Sequence, residues 1–124
     1  QIKPNYKNVL LDIYDFFEEN IKDKFSDRNI ILDPGIGFGK TLKHNLTLIS
    51  KISLFHSLGL PILVGTSRKR FISQISGVYD SKDRTGGTLA SVLFLLSQGV
   101  QIFRVHNVKE VKQGILVFKK ILLN

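Results

Sequence analysis

Residues 28–41 read RNIILDPGIGFGKT, an isoleucine-rich run closed by an aspartate and a Pro-Gly turn, then a glycine-spaced loop ending in lysine and threonine. The run Ile30, Ile31, Leu32, bounded by Pro34 and Gly35, reads as a buried strand ending near Asp33. The loop after it nearly fits two phosphate-binding patterns and misses each by one residue. A P-loop requires glycine where Pro34 stands. A dinucleotide fingerprint beginning at Gly35 and Gly37 requires its third glycine where Lys40 stands. Glycines in such loops let the backbone approach the phosphate or turn with φ > 0, so a single miss counts against both.

The strand-then-helix unit recurs along the chain. Ahead of the first strand, residues 6–24 carry Val9, Ile13, Phe16, Phe17 and Ile21 at helical spacing and predict an opening helix. After the glycine loop, Leu46, Ile49, Ile52, Leu54, Phe55 and Leu58 predict a helix that Gly59 stops. LPILVG predicts a second strand ending at Gly65, followed by the polar turn TSRKR, a shorter helical piece and the loop GVYDSKDRTGG. Residues 88–98 are apolar on nearly every side and predict a well-buried helix. VQIFRVHN predicts a third strand ending around His106, and residues 109–123 a last helix with Val111, Ile115, Phe118, Ile121 and Leu122 facing inward.

This alternation implies βαβ units and a parallel sheet. The strand ends at Asp33, Gly65 and His106 lie 32 and 41 positions apart, a spacing suited to a (β/α) barrel. About three βα units plus a leading helix make less than half of an eight-stranded barrel, which typically takes ~250 residues. A small open sheet is the competing architecture.

The 124 residues are 43% hydrophobic, which suits a folded piece the size of one domain. Eighteen Lys and Arg against ten Asp and Glu give a net charge of +8. That charge is either a solvated lysine-rich surface or, in part, a set of cations holding an anion. The basic residues are scattered and no nucleic-acid motif is present, so a nucleic-acid partner is not expected. With no cysteine, disulfide and thiolate chemistry are excluded and a reducing compartment is permitted. The longest apolar stretch, 89–96, is too short to span a bilayer, so no membrane partner is expected and a cytoplasmic setting is. The chain holds no methionine and begins at Gln1, from which a longer parent is expected.

The unusual polar residues gather at strand C-terminal ends, the ligand-binding face of parallel α/β folds. Asp33 either anchors the Pro-Gly turn through its side chain or meets a ligand. Phe38 either plugs the barrel mouth or stacks on a flat ring. Arg68 and Lys69 open a helix whose dipole already disfavours cations, which suggests an anion or polar ligand before them. Arg104 and His106 flank Val105, so alternation places both on one side of the third strand, facing inward near its end. An arginine there calls for an anionic partner such as a phosphate. His44 and His56 look ordinary, and with three scattered histidines a His-based metal site is not expected. No serine–histidine pairing stands out by spacing; Ser67 and His106 read as ligand contacts.

ILDPGIGFGKTLKHNL, PILVGTSRKRFI, DRTGGTLAS and IFRVHNVKE occur here in the order and spacing of the C-terminal half of bacterial-type dihydropteroate synthases. The resemblance covers the whole chain. It implies that residues 1–124 are the C-terminal part of one pterin-binding (β/α)8 TIM barrel, beginning just after the family's fifth strand. The family joins dihydropterin pyrophosphate (6-hydroxymethyl-7,8-dihydropterin diphosphate) to p-aminobenzoate, giving dihydropteroate and pyrophosphate in folate biosynthesis.

By the resemblance, Asp33 hydrogen-bonds the pterin's amidine-like edge deep in the barrel, Lys69 reaches its carbonyl and ring nitrogen, and Gly65 leaves room for the flat ring. Phe38, Ser67 and Arg68 form the p-aminobenzoate side, with Phe38 also bordering the pterin. Arg104, His106 and the backbone of Val105 between them hold the pyrophosphate. No covalent enzyme nucleophile is implied. Magnesium is expected, with its protein ligand on the family's first strand and none in this chain, and the parent is expected to be a homodimer. The chain alone then carries about half of the site and is expected to be inactive, with raw sheet edges. A non-catalytic anion- or pterin-binding remnant is the alternative; a P-loop nucleotidase is opposed by Pro34.

Overall fold

Three segments run side by side in the same direction in the computed structural model, which describes residues 6–22 and 30–124. The Leu32 amide donates to the Pro61 carbonyl at 2.9 Å, and the Leu63 amide to the Leu32 carbonyl at 2.8 Å. The first expected strand is thus realised as one parallel bridge, Leu32 to Ile62; its start at residues 28–29 lies outside the described residues. Strand β1 (Leu63–Val64) pairs in parallel with β2 (Ile102–Phe103), Leu63 opposite Ile102 and Val64 opposite Phe103. Pro34 and Pro61 have no amide to donate, which limits the ladder around the Leu32 bridge.

Helices fill the connections. Helix α1 (Val9–Lys22) comes first. After the glycine loop come α2 (Leu42–Ser50) and a 3-10 segment, Ile52–Leu58. Between β1 and β2 lie α3 (Arg70–Ser76) and α4 (Thr85–Ser97), and α5 (Val108–Leu122) ends the chain. The helix expected to run unbroken to Leu58 tightens to 3-10 after Lys51. Gly59 stops it as expected, taking the left-handed conformation at φ 74°.

The core forms where these layers meet. Leu48, Ile52, Phe55, Ile62, Val64 and Leu95 are fully buried in one cluster. Burial of each large apolar side chain contributes about 1.5–3 kcal/mol. Tyr14 stacks on Phe55 at 6.3 Å between centroids and Phe17 meets it edge-on at 5.6 Å, so α1 lies over the 3-10 segment.

Three helix faces differ from expectation. On α1, Val9 and Ile13 are buried, but Phe16 is exposed and Tyr14 takes the inward place. Residues 23–24, expected to extend that helix, lie outside the described residues. Helix α4 starts earlier than expected and is only partly buried. Its Thr88 is buried against the TSRKR turn, and Ser91 hydrogen-bonds there too, while Phe94 stays exposed. On α5 only Val111 is buried; Ile121 and Leu122, expected inward, are exposed together with Leu116, Val117 and Leu123. Among the elements, α5 packs mainly on α4, which covers one side of a helix that is apolar on more than one.

Glycine pairs test this packing. A Cβ added at Gly86 meets nothing within 4 Å, whereas one added at Gly87 runs into Ile72 Cγ2 on α3. Gly86→Ala is expected to raise stability by about 0.5–1 kcal/mol through helix propensity. Gly87→Ala is expected to lower it by roughly 1–3 kcal/mol, because β-branched Ile72 cannot swing aside. Paired urea unfolding curves measure both; equal shifts would contradict the α3–α4 contact.

Candidate active site

Three amides of the glycine loop are taken up within the protein. Gly35 N–H donates to Asp33 Oδ1 at 2.8 Å, Gly37 N–H to Asn45 Oδ1 at 2.8 Å, and Phe38 N–H to the Gly35 carbonyl at 3.0 Å. Lys40 lies ahead of the helix that follows rather than in its first turn. Its Nζ donates to the carbonyls of Gly35 (2.8 Å) and Phe38 (2.9 Å) and closes the loop. Gly37 sits at φ 89° with the Lys69 side chain close above it, so the turn needs glycine there. At the start of α2, Thr41 and His44 cap each other. A phosphate cradle presents open amides and a reaching lysine; here three of the amides and the lysine are already engaged. Asp33 therefore does anchor the turn, the plainer of its two readings, but through one oxygen of an exposed carboxylate.

The second loop is held from behind. Gly65, Thr66 and Ser67 are buried, and Arg68 takes a left-handed φ of 56°, a costly conformation for a non-glycine residue. Its amide donates to Thr88 Oγ1 at 3.0 Å, and its carbonyl accepts from Arg84 Nη1 at 2.8 Å. Arg84 also donates to the carbonyls of Val78 and Tyr79, so one guanidinium ties two loops together. Ser91 donates to Thr66 Oγ1 at 2.7 Å. The residue so delivered is Lys69, whose Nζ lies 4.2 Å from the centroid of the Phe38 ring, a cation–π contact between the first and second loops. Arg68 Nε is buried with no hydrogen-bond partner.

The third strand end adds Arg104 and His106, both exposed, and half-buried Val105. The Arg104 amide donates to the Val64 carbonyl at 3.4 Å, which sets Arg104 beside Gly65. The three atoms nearest to a Cβ added at Gly65 all belong to the Arg104 side chain, the first at an ordinary 3.6 Å, so Arg104 lies directly over this glycine. Ser67 Oγ and His106 Nδ1 lie 2.7 Å apart, and the His106 amide donates to Ser67 Oγ at 3.0 Å. That serine–histidine pair, 39 positions apart in sequence, leaves no signal in residue spacing.

Electrostatics join the three loops. Burial lowers the Lys69 pKa below the usual 10.5; the Arg104 charge lowers it further and Asp33 pulls it back up. Burial likewise lowers Lys40, with Asp33 raising it and Lys69 lowering it. A cavity of about 400 Å³ beside them is lined by Lys40, Arg68, Lys69, Arg70 and Arg84 together with Gly37, Asn45, Phe71 and Gln74, and no carboxylate. Of these, Lys40, Arg70 and Arg84 do not stand out as site residues in the sequence. DRTGG carries the only signal for Arg84, as part of a resemblance rather than a role. His44 and His56 are structural, His56 Nε2 lying 2.7 Å from the Gln98 carbonyl.

Parallel βα units whose loops open on one side, with cations gathered over them, are part of an α/β barrel. The chain belongs to the pterin binding enzyme family, whose description matches residues 1–106. It is 39% identical over 121 residues to the dihydropteroate synthase of Escherichia coli (strain K12), covering 94% of this chain and 43% of that protein. The dihydropteroate synthase of Thermus thermophilus in complex with 4-aminobenzoate superposes with a TM-score of 0.89 at 38% identity, over 94% of this chain and 46% of the other. The same enzyme in complex with 6HMPPP gives 0.91 at 37% identity, over 96% and 48%. The chain thus spans under half the length of each of these three proteins.

Lysine titrations probe the joined charges. Both lysines hold protons less readily folded than unfolded. Their contribution therefore makes the fold more stable as pH climbs through the lowered folded values toward 10.5, where the unfolded lysine also loses its proton. Removing a like charge with Arg104→Gln is expected to raise the Lys69 pKa. Asp33→Asn, which keeps the Oδ1 acceptor, is expected to lower both lysines. Titration of ¹³C-labelled lysine side chains by NMR measures these shifts; an unmoved Lys69 in both variants would break the proximity of the three groups.

Proposed function

We propose that the chain is the C-terminal portion of a single barrel domain in a dihydropteroate synthase, which condenses dihydropterin pyrophosphate with p-aminobenzoate. The observation that carries this reading is the meeting of an acceptor, Asp33, with the cations Lys69 and Arg104, the last lying directly over Gly65. An acceptor beside cations suits a pterin that donates from one edge and trails a pyrophosphate. The complexes of the Thermus enzyme support the same two substrates.

In this reading Asp33 Oδ2, with Oδ1 fixed by Gly35 N–H, accepts from the pterin edge, and Lys69 donates to its carbonyl side. The flat ring occupies the space at Gly65. Arg104, the Val105 backbone and His106 bind the pyrophosphate and stabilise its charge as it leaves. The carbon–oxygen bond to pyrophosphate breaks with its electron pair on oxygen. The aryl amine then bonds to the methylene carbon and sheds a proton to water or the departing pyrophosphate. Phe38 and Arg68 border the amine's benzoate ring, and the partnerless Arg68 Nε supplies a donor for a carboxylate. Ser67 stays on this side of the site through its place in the same turn, though its hydroxyl is engaged with His106.

Magnesium bound to the pyrophosphate is part of the same reading, with its protein ligand outside these 124 residues; among the described residues no group of three or more His, Cys, Asp or Glu could hold a metal, and no step is assigned to it. Among the described residues no helix is long and apolar enough to cross a membrane. We also propose a cytoplasmic setting, which the cysteine-free sequence permits. Pairing of two copies of the whole protein is part of the same reading, and the exposed apolar side of α5 offers a surface for it. A nucleic-acid partner is not part of this reading.

Titration of inorganic pyrophosphate by calorimetry tests the reading. Arg104→Ala is expected to weaken binding by roughly 1.5–3 kcal/mol, the range for hydrogen bonds to charged groups; unchanged affinity would remove Arg104 from the site. The 124 residues alone, with Asp33, Arg104 and His106 on an open face, are expected to form no dihydropteroate from the two substrates. Product in a chromatographic assay of the chain alone would overturn that expectation.

A further inference from the structure

The geometry points to Ser67 as the residue that sets which nitrogen of His106 carries the proton, so that the imidazole meets an anion with an N–H rather than a lone pair. This rests on the proposed reading of His106 as a pyrophosphate contact. A hydroxyl has one proton and two lone pairs. The His106 amide can only donate, and it takes one lone pair of Ser67 Oγ at 3.0 Å. Two arrangements remain for the 2.7 Å contact between Oγ and Nδ1.

If Nδ1 carried the proton, it would donate to Oγ, and the hydroxyl proton would need a different acceptor. Ser67 is 5% exposed, and among the described residues its hydroxyl makes no hydrogen bond beyond the two to His106. A buried donor left unpaired is penalised by its full desolvation. The favoured arrangement is therefore Ser67 O–H donating to Nδ1, which places the ring proton on Nε2. That nitrogen makes no hydrogen bond among the described residues, and His106 is exposed at the strand end. The second nitrogen of a histidine is commonly fixed by the bond the first one makes. Here the same hydroxyl also holds the backbone of His106, so the ring's direction and its tautomer are set together. A neutral imidazole so fixed offers a donor to phosphate oxygen without first taking up a proton. Ser67 is then a positioning residue for the pyrophosphate end of the site.

The test has a ligand-free arm and a ligand arm, both on the purified protein with folding of each variant verified by its amide spectrum. Long-range ¹H–¹⁵N spectra of the histidine rings at pH 8 are expected to show His106 as the Nε2–H tautomer with Nδ1 hydrogen-bonded. Ser67→Ala is expected to shift Nδ1 to an unbonded position and mix the tautomers, while Ser67→Thr, which keeps the hydroxyl, restores the wild-type pattern. Inorganic pyrophosphate affinity is expected to fall about tenfold in Ser67→Ala, the loss of one well-placed hydrogen bond. It is expected to show no further loss when Ser67→Ala is added to His106→Ala. A ring spectrum unchanged by Ser67→Ala, or an equal loss in the His106→Ala background, would overturn the inference; the latter would mean that Ser67 touches the ligand itself. Absence of pyrophosphate binding by the wild type would sink the functional reading instead, and the ring spectrum would still decide the tautomer.

Discussion

The parallel register of three short backbone pairings governs everything on the functional face. Leu32 bonds to the segment at Pro61 and Leu63, and Arg104 bonds to Val64. Because all three segments run the same way, their last residues lie at one level and their loops open on one side. Asp33, Gly65 and Arg104 are neighbours for that reason alone. The ladder is so short that side chains, not further strand pairing, must hold the loops it launches.

Those side chains share a strategy. The first two loops contain left-handed residues, and polar side chains complete their turns. Lys40 returns to the carbonyls of its own loop, Asn45 reaches back from α2, and Thr88 and Arg84 hold Arg68 in a conformation it would otherwise avoid. Over-determined strain of this kind concentrates at ligand sites. The helices behind the site thus do two jobs. Their apolar residues build the core, and a few polar positions on α2 and α4 shape the mouth.

Sequence pattern makes the alternation, the strand ends and the glycine stop at residue 59 legible, because those follow from local periodicity and turn chemistry. It also brings out Asp33, Lys69, Arg104 and His106, since charge at a strand end is locally odd. It misses Arg84, Lys40 and the Ser67–His106 contact for a physical reason. Their partners are carbonyls or side chains reached only after folding, and a backbone carbonyl leaves no mark in sequence. The faces of α4 and α5 differ from expectation because hydrophobic periodicity shows which side is apolar, not whether anything packs there. Ile121 and Leu122 keep their periodicity and remain exposed.

The way Arg84 is bound has a consequence for the conditions under which the site keeps its shape. Its acceptors are the peptide oxygens of Arg68, Val78 and Tyr79, none of which can be protonated in the range a protein survives. A guanidinium stays charged throughout that range as well. Had a carboxylate held the turn, mild acid would dissolve the tie and added salt would weaken it. A cation anchored on amide dipoles loses neither partner to acid. The lysine that this turn presents can thus change its protonation while the scaffold under it does not.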